Sequence, residues 1–199
     1  KKMKLNILGK KNLYDLIKKL SLSEEQEFKL KKYVEANGMI YLSTPFSKAG
    51  VDRLIKLGVK IFKIGSGEFS NLPLLKYVAK FKKPMILSTG MHNISEISYI
   101  TNIIKKINNK FALLHCTSIY PTMNRDVRLS SITQMRKKYN SIIGLSDHTN
   151  NCLSSYGAIA LGACIIEKHF VDKKSRVGPD INSSIDESQL AELIRGCNS

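Results

Sequence analysis

The chain has 199 residues, of which 43% are apolar, 24% charged and 8% aromatic. That is too hydrophobic for a disordered chain, and enough for one folded domain or most of a larger one. No apolar run approaches the ~18 residues of a membrane-spanning helix, and the basic start Lys1-Lys2-Met3-Lys4 lacks the apolar run and cleavage site of a signal peptide.

Ser23-Glu24-Glu25-Gln26 opens the first predicted helix as a capping box, with Ser23 as the cap and Gln26 three residues on. Asn37-Gly38 stops it. A short β-rich apolar run follows at Met39 to Ser43, then a helix over Lys48 to Leu57 and a strand over Lys60 to Ile64. The alternation continues with a helix over Leu74 to Phe81, a strand over Met85 to Leu87, a helix over Ser95 to Ile107 and a strand over Phe111 to His115. It closes with a helix over Leu129 to Tyr139, a strand over Ile142 to Leu145, a helix over Cys152 to Leu161, a strand over Cys164 to Glu167 and a helix over Glu187 to Ile194. The short runs are nearly continuous in apolar character, as parallel strands covered on both faces require. No Pro-, Gly- or Ser-rich linker divides the chain, so residues 1–199 read as one domain.

Such βα alternation fits a doubly wound sheet or a (β/α)8 TIM barrel. The polar chemistry separates them. Each run ends in small or functional polar residues: Thr44, Ser66-Gly67-Glu68, Ser88-Thr89-Gly90, His115 to Ser118, Ser146-Asp147-His148 and Glu167-Lys168-His169. A TIM barrel builds its site from the C-terminal ends of all its strands, whereas a doubly wound sheet concentrates it at one switch point. No GxGxxG follows the first run. A complete barrel has eight strands and about 250 residues, so the expectation is an α/β TIM barrel present as about six of its eight βα units.

Lys plus Arg outnumber Asp plus Glu by 32 to 16, a net charge of +16. The excess is mostly Lys, dispersed in pairs such as Lys10-Lys11, Lys18-Lys19 and Lys137-Lys138, without the aromatic interleaving of a nucleic-acid groove. It reads as solvated surface charge compatible with anionic metabolites, with neither nucleic acid nor membrane as the partner. The cysteines Cys116, Cys152, Cys164 and Cys197 form no CxxC pair and no disulfide-like framework, which points to a reducing, cytoplasmic setting.

Several motifs, in their order and spacing, resemble the bacterial N-acetylneuraminate (sialic acid) synthase family, which includes the legionaminic acid synthases. They are Phe62-Lys63-Ile64-Gly65-Ser66-Gly67-Glu68, Leu87-Ser88-Thr89-Gly90-Met91, Leu114-His115-Cys116-Thr117-Ser118-Ile119-Tyr120-Pro121-Thr122, Gly144-Leu145-Ser146-Asp147-His148-Thr149, Glu167-Lys168-His169-Phe170 and Gly178-Pro179-Asp180. The resemblance runs from about Ser23 to the end. It implies a homodimeric enzyme that condenses phosphoenolpyruvate with an open-chain N-acetylated hexosamine to a nine-carbon 2-keto acid, releasing phosphate by C–O cleavage, with a divalent cation, Mn²⁺ or Mg²⁺. The Ser66-Gly67-Glu68 form is nearer the sialic and legionaminic branches than the pseudaminic one. The family also has two further βα units before this stretch and a small antifreeze-like domain after it. Neither is expected in these 199 residues, which are therefore not expected to turn over substrate alone.

Site residues follow from the motifs. His148 and His169 stand one βα unit apart at the ends of consecutive strands, so both imidazoles could reach one point, though spacing alone favours ordinary histidines over metal ligands. The resemblance makes them the metal ligands. Lys63, in an otherwise apolar strand, either snorkels to the rim or finds a partner, since burying a lone ammonium is costly; the resemblance makes it a phosphoenolpyruvate contact. Thr44, Ser66, Ser88, Ser118 and Ser146 follow as hydroxyl donors to phosphate or carboxylate, or else as turn and cap residues. Glu68, Tyr120 and Asp180 match positions lining the sugar pocket. Glu167 shares a face with His169 and is expected, with Lys63, to be catalytic, by orienting a ligand or sharing in proton transfer. His115 is expected to be structural and His92 to lie on the surface. Cys116 is not expected to be a nucleophile, because adjacent strand residues point to opposite faces.

Overall fold

Ser23 Oγ accepts from the Gln26 amide at 3.2 Å while Gln26 Oε1 accepts from the Ser23 N–H at 2.8 Å, so the capping box is formed as the sequence reads. It starts α2 (Glu24–Ala36), which follows α1 (Leu13–Leu20). The computed structural model describes residues 13–198; Lys1-Lys2-Met3-Lys4 and Lys10-Lys11 lie outside them. The chain clusters into two compact units that divide between Tyr41 and Leu42. In the first, Gly38 ends α2 in the left-handed region at φ 74°, and the Tyr41 hydroxyl donates to Glu27 Oε1 at 3.0 Å. The strand expected over Met39 to Ser43 is not formed: no ladder pairs this run among the described residues, and the unit boundary falls inside it. Apolar β-formers become a strand only where a neighbour supplies the ladder.

The second unit runs α3 (Lys48–Leu57), β1 (Phe62–Ile64), α4 (Leu72–Ala79), β2 (Met85–Ser88), α5 (Ile94–Lys105), β3 (Phe111–Cys116), α6 (Ser130–Lys138) and β4 (Ile142–Asp147). It continues with α7 (Leu153–Ala160), β5 (Ile166–Phe170), β6 (Ser184–Ile185) and α8 (Glu187–Cys197). All neighbours in the sheet β1-β2-β3-β4-β5-β6 are parallel. Two readings need correction. The strand expected over Cys164 to Glu167 begins two residues later and extends to Phe170, and β6 was not expected at all. β6 holds only two residues, Ser184 and Ile185, too few to show a periodicity.

The sheet curls. Four strand spacings would put β1 and β5 roughly 19 Å apart on a flat sheet, yet Lys63 Nζ on β1 lies 3.2 Å from Glu167 Oε2 on β5. The two side chains meet across the interior of a partial (β/α)8 barrel. The period of two then sorts each strand. Phe62, Ile64, Leu87, Leu113, Ile143 and Leu145 point outward beneath the helices and are almost wholly buried; each such side chain stabilises the fold by about 1.5–3 kcal/mol. Lys63, Ser88, Cys116, Ser146 and Glu167 point inward, and Cys116, Ser146 and Glu167 share one register level. Gly144 on the inner face has to be glycine, because a Cβ there would lie 2.4 Å from the Ile165 carbonyl oxygen and 2.6 Å from Leu114 Cδ2.

Behind the inner face, Asp147 and Lys168 pair in register with Oδ2 to Nζ at 2.9 Å and side chains 0% and 5% exposed. Lys168 also donates to the Thr149 carbonyl at 2.6 Å and to Thr149 Oγ1 at 3.1 Å. Asp147 accepts from the Thr149 N–H at 2.8 Å and the Ser155 hydroxyl at 2.7 Å. Every donor of this buried ammonium is used, so removing one partner strands a charge. Lys168→Met is expected to cost about 3–5 kcal/mol of stability, and Asp147→Leu combined with Lys168→Met substantially less. Urea unfolding of the two variants checks this order.

Candidate active site

The inward-facing polar residues join into one hydrogen-bonded chain across the mouth. Lys63 Nζ donates to Ser88 Oγ at 2.9 Å and to the Ile64 carbonyl at 3.2 Å, and pairs with Glu167 Oε2 at 3.2 Å. Glu167 Oε1 accepts from Ser146 Oγ at 2.7 Å. Four strands are thereby tied together, and the ammonium of Lys63, a residue only 9% exposed, has the partners its burial demands.

His148 and His169 extend from the ends of β4 and β5 with ring centroids 5.3 Å apart. Tyr120 lies against both, 4.1 Å from the His148 ring and 5.7 Å from that of His169. His148 Nδ1 sits 2.9 Å from the Thr117 carbonyl. A carbonyl only accepts, so Nδ1 carries a proton, and in its neutral form the ring has its lone pair on Nε2. That Nε2 has no protein hydrogen bond among the described residues. Two neutral imidazoles suit a divalent ion whose other positions are filled by water and substrate oxygens. Among the described residues no group of three or more His, Cys, Asp or Glu forms a complete protein cage. The donors that could meet a cation here are the two paired imidazoles, and it is their chemistry that fits one.

Burial is the strongest influence on His148, Cys116, His169 and Tyr120, though not always the deciding one. It pulls His148 down, but hydrogen bonds to Cys116 and the Thr117 carbonyl outweigh it and raise the ring. Burial pushes the Cys116 thiol up, while hydrogen bonds with His148, Ser66 and Ser118 bring it below the ordinary range. His169 is lowered, by burial and by the neighbouring His148, against the pull of Asp180. Tyr120 is pushed up to about 12 by burial and by the charges of Cys116, Asp180 and Glu167, so its hydroxyl stays protonated near neutral pH.

These residues line a cleft of about 370 Å³. Of the residues singled out in the sequence, Lys63, Ser66, Ser88, Ser118, Tyr120, Ser146, His148, Glu167 and His169 meet there. Thr44, Glu68 and Asp180 do not line it. Thr44 has its Cγ2 4.0 Å from where a Cβ on Gly65 would sit. The Glu68 carboxylate accepts from Asn71 Nδ2 at 2.7 Å. Asp180 Oδ2 stands 4.0 Å from His169 Nδ1 at the rim. Cys116, Gly65, Gly67 and Met91 line the cleft without having been singled out for it. The signal for Cys116 was present: with His115 facing out, its neighbour has to face in. Gly90 closes one side. A Cβ there would come within 2.4 Å of Ser118 Oγ and 2.8 Å of Ser66 Oγ, and the bare Gly90 N–H donates to Ser66 Oγ at 3.0 Å.

His115 on the outer face donates Nε2–H to the Val127 carbonyl at 2.6 Å, and burial lowers it from its ordinary 6.5. The unfolded chain therefore binds a proton at this residue that the folded chain resists. Stability is expected to fall as the pH drops below about 6.5, and His115→Gln is expected to flatten that fall. The urea midpoint measured between pH 7 and pH 5 tests the sign.

The chain is 38% identical over 187 residues to an N,N'-diacetyllegionaminic acid synthase of Legionella pneumophila, covering 92% of this chain and 52% of that protein. It is 36% identical over 177 residues to the Homo sapiens N-acetylneuraminate-9-phosphate synthase, covering 88% and 49%. The crystal structure of an N-acetylneuraminic acid (sialic acid) synthetase from Leptospira borgpetersenii in complex with citrate superposes with a TM-score of 0.90 at 34% identity, covering 92% of this chain and 65% of that one. The chain thus spans about half the length of the curated relatives it matches. The match to the NeuB family extends over residues 2–199, and the chain belongs to that family.

Proposed function

We propose that the protein carrying this chain condenses phosphoenolpyruvate with an N-acetylated hexosamine, N-acetylmannosamine or a close relative, to a nine-carbon sialic or legionaminic acid. The observation that carries this reading is the buried Lys63 ammonium set in a ring of serine hydroxyls beside two paired imidazoles. Phosphoenolpyruvate brings a phosphate and a carboxylate, which call for a cation and several O–H and N–H donors close together. Lys63 supplies the charge, while Ser66, Ser88, Ser118 and Ser146 orient hydroxyls on the oxygens. Tyr120 offers a ring face and a protonated hydroxyl to the sugar, with Glu68 and Asp180 accepting from its hydroxyls further out. A divalent cation, Mn²⁺ or Mg²⁺, on His148 and His169 would polarise the sugar aldehyde.

In the reaction, C3 of phosphoenolpyruvate bonds to the aldehyde carbon, water adds at C2 and the C2–O bond to phosphate breaks, leaving the 2-keto acid and inorganic phosphate. Glu167 stands between Lys63 and Ser146 and is the carboxylate placed to hold or pass a proton. A Schiff-base aldolase using Lys63 is less well supported, since that nitrogen is an ion-paired ammonium with its donors engaged. The reading includes a cytoplasmic setting, supported by four free thiols, and a homodimer, which the motif resemblance implies. No helix among the described residues is long and apolar enough to cross a membrane.

Calorimetric titration with phosphoenolpyruvate tests the anion site. Lys63→Met is expected to weaken binding at least about 30-fold, the equivalent of about 2 kcal/mol for truncating one member of a buried charged contact. Unchanged affinity would overturn the assignment. Manganese electron paramagnetic resonance tests the cation site: His148→Ala and His169→Ala are each expected to abolish the bound-Mn²⁺ signal, and a signal that persists in both removes the histidines from the site.

A further inference from the structure

A second cavity of about 480 Å³ lies behind the cleft, between the loops that follow β2 and β3 and the helices α5 and α6. Its size suits a small ligand. It shares Met91, Cys116 and Ser118 with the cleft, and the catalytic groups described above do not otherwise enter it. Two of the three non-glycine residues held at positive φ among the described residues, Met91 at 65° and Arg128 at 55°, are on its wall. Such strain persists where the surrounding structure over-determines it, and it clusters at ligand sites.

The wall's polar groups are specific in kind. His92 Nδ1 donates to the Gly90 carbonyl at 2.7 Å and His115 Nε2 to that of Val127 at 2.6 Å. Each neutral ring therefore has its other nitrogen as an acceptor. The Asp126 carboxylate adds a third acceptor. Opposite in character are Arg128, Ser131 and Gln134, whose side chains make no hydrogen bond to another described residue. Ile97 and Met135 form an apolar floor. Acceptors for hydroxyls, one guanidinium for a carboxylate and an apolar patch for an acyl group are together the complement of an N-acylated sugar acid.

We propose that this cavity is a second ligand site, one that binds a hydroxylated carboxylic acid of sugar size, with Arg128 on the carboxylate. Identifying that ligand with the product of the neighbouring cleft rests on the reaction proposed above; the cavity's own chemistry does not. Occupancy would press on the shared Cys116–Ser118 wall and so couple product level to the cleft.

The test is histidine-ring NMR of the isotopically labelled chain titrated with N-acetylneuraminic acid, a binding measurement that needs no turnover and leaves the proposed reaction untouched if it fails. The ring signals of His92 and His115 are expected to move together and saturate. Arg128→Asn keeps a residue that tolerates the left-handed backbone and is expected to raise the Kd at least tenfold. N-acetylmannosamine, which has no carboxylate, is expected to bind more weakly and equally to both proteins. Rings that do not move, shifts confined to His148 and His169, or an unchanged Kd in Arg128→Asn would each overturn the proposal.

Discussion

The mouth of this barrel depends on one buried ammonium. Lys63 is set in the middle of a three-residue strand, flanked by Phe62 and Ile64. Little of it is open to water there, so its charge has to be met from the opposite wall. Glu167 meets it, Ser88 and Ser146 complete the chain, and four of the strands acquire a fixed spacing at their C-terminal ends. The residues proposed to hold an anion are thus also the ones that tie the walls of the cleft together. Donors already fixed by one another in this way cost little reorganisation when they meet a charge.

Backbone carbonyls play a parallel part for the imidazoles. His92, His115 and His148 each spend one ring nitrogen on a carbonyl, those of Gly90, Val127 and Thr117. That contact sets the tautomer and aims the remaining nitrogen. A side chain whose ordinary titration falls near neutral pH is thereby given a defined donor end and a defined acceptor end. Where the free end faces decides its use. In His148 it is left without a protein partner beside His169, and in His92 and His115 it belongs to rings on the wall of the second cavity.

Much of this was legible in the sequence because strand ends and helix starts carry local signals. The capping box at Ser23, the helix over Lys48–Leu57 and the parallel order of the strands required only short-range rules. Long-range pairing was not legible. The run from Met39 to Ser43 has the composition of a strand, but a ladder depends on what lies alongside. β6 forms because β5 offers an edge to Ser184 and Ile185, which a dipeptide cannot announce. Within the site, Lys63, Ser88 and Ser146 lie within the last residues of short apolar strands and were readable from position. Glu68 follows β1 yet lies outside the cleft, because the turn after a strand, and not the strand, decides where the following side chain goes; Thr44 lies outside it after a run that forms no strand. The Asp147–Lys168 pair stayed hidden for another reason: each stands between two residues of the active face, and nothing in composition says that a charged residue points to the core.

That interleaving restricts how the gene can change. Along β4 and β5 the residues alternate between cleft and core: Ser146 and His148 against Asp147, Glu167 and His169 against Lys168. Inserting or deleting a single codon inside either strand would carry the carboxylate or the ammonium into the cleft and an imidazole into the hydrophobic layer. Point substitutions can be absorbed one at a time, but a shift of frame within the strand inverts both layers together. Length variation in descendants of this chain is therefore confined to the connections, where the stretches at 117–129 and 171–183 already hold most of the irregular backbone around the mouth.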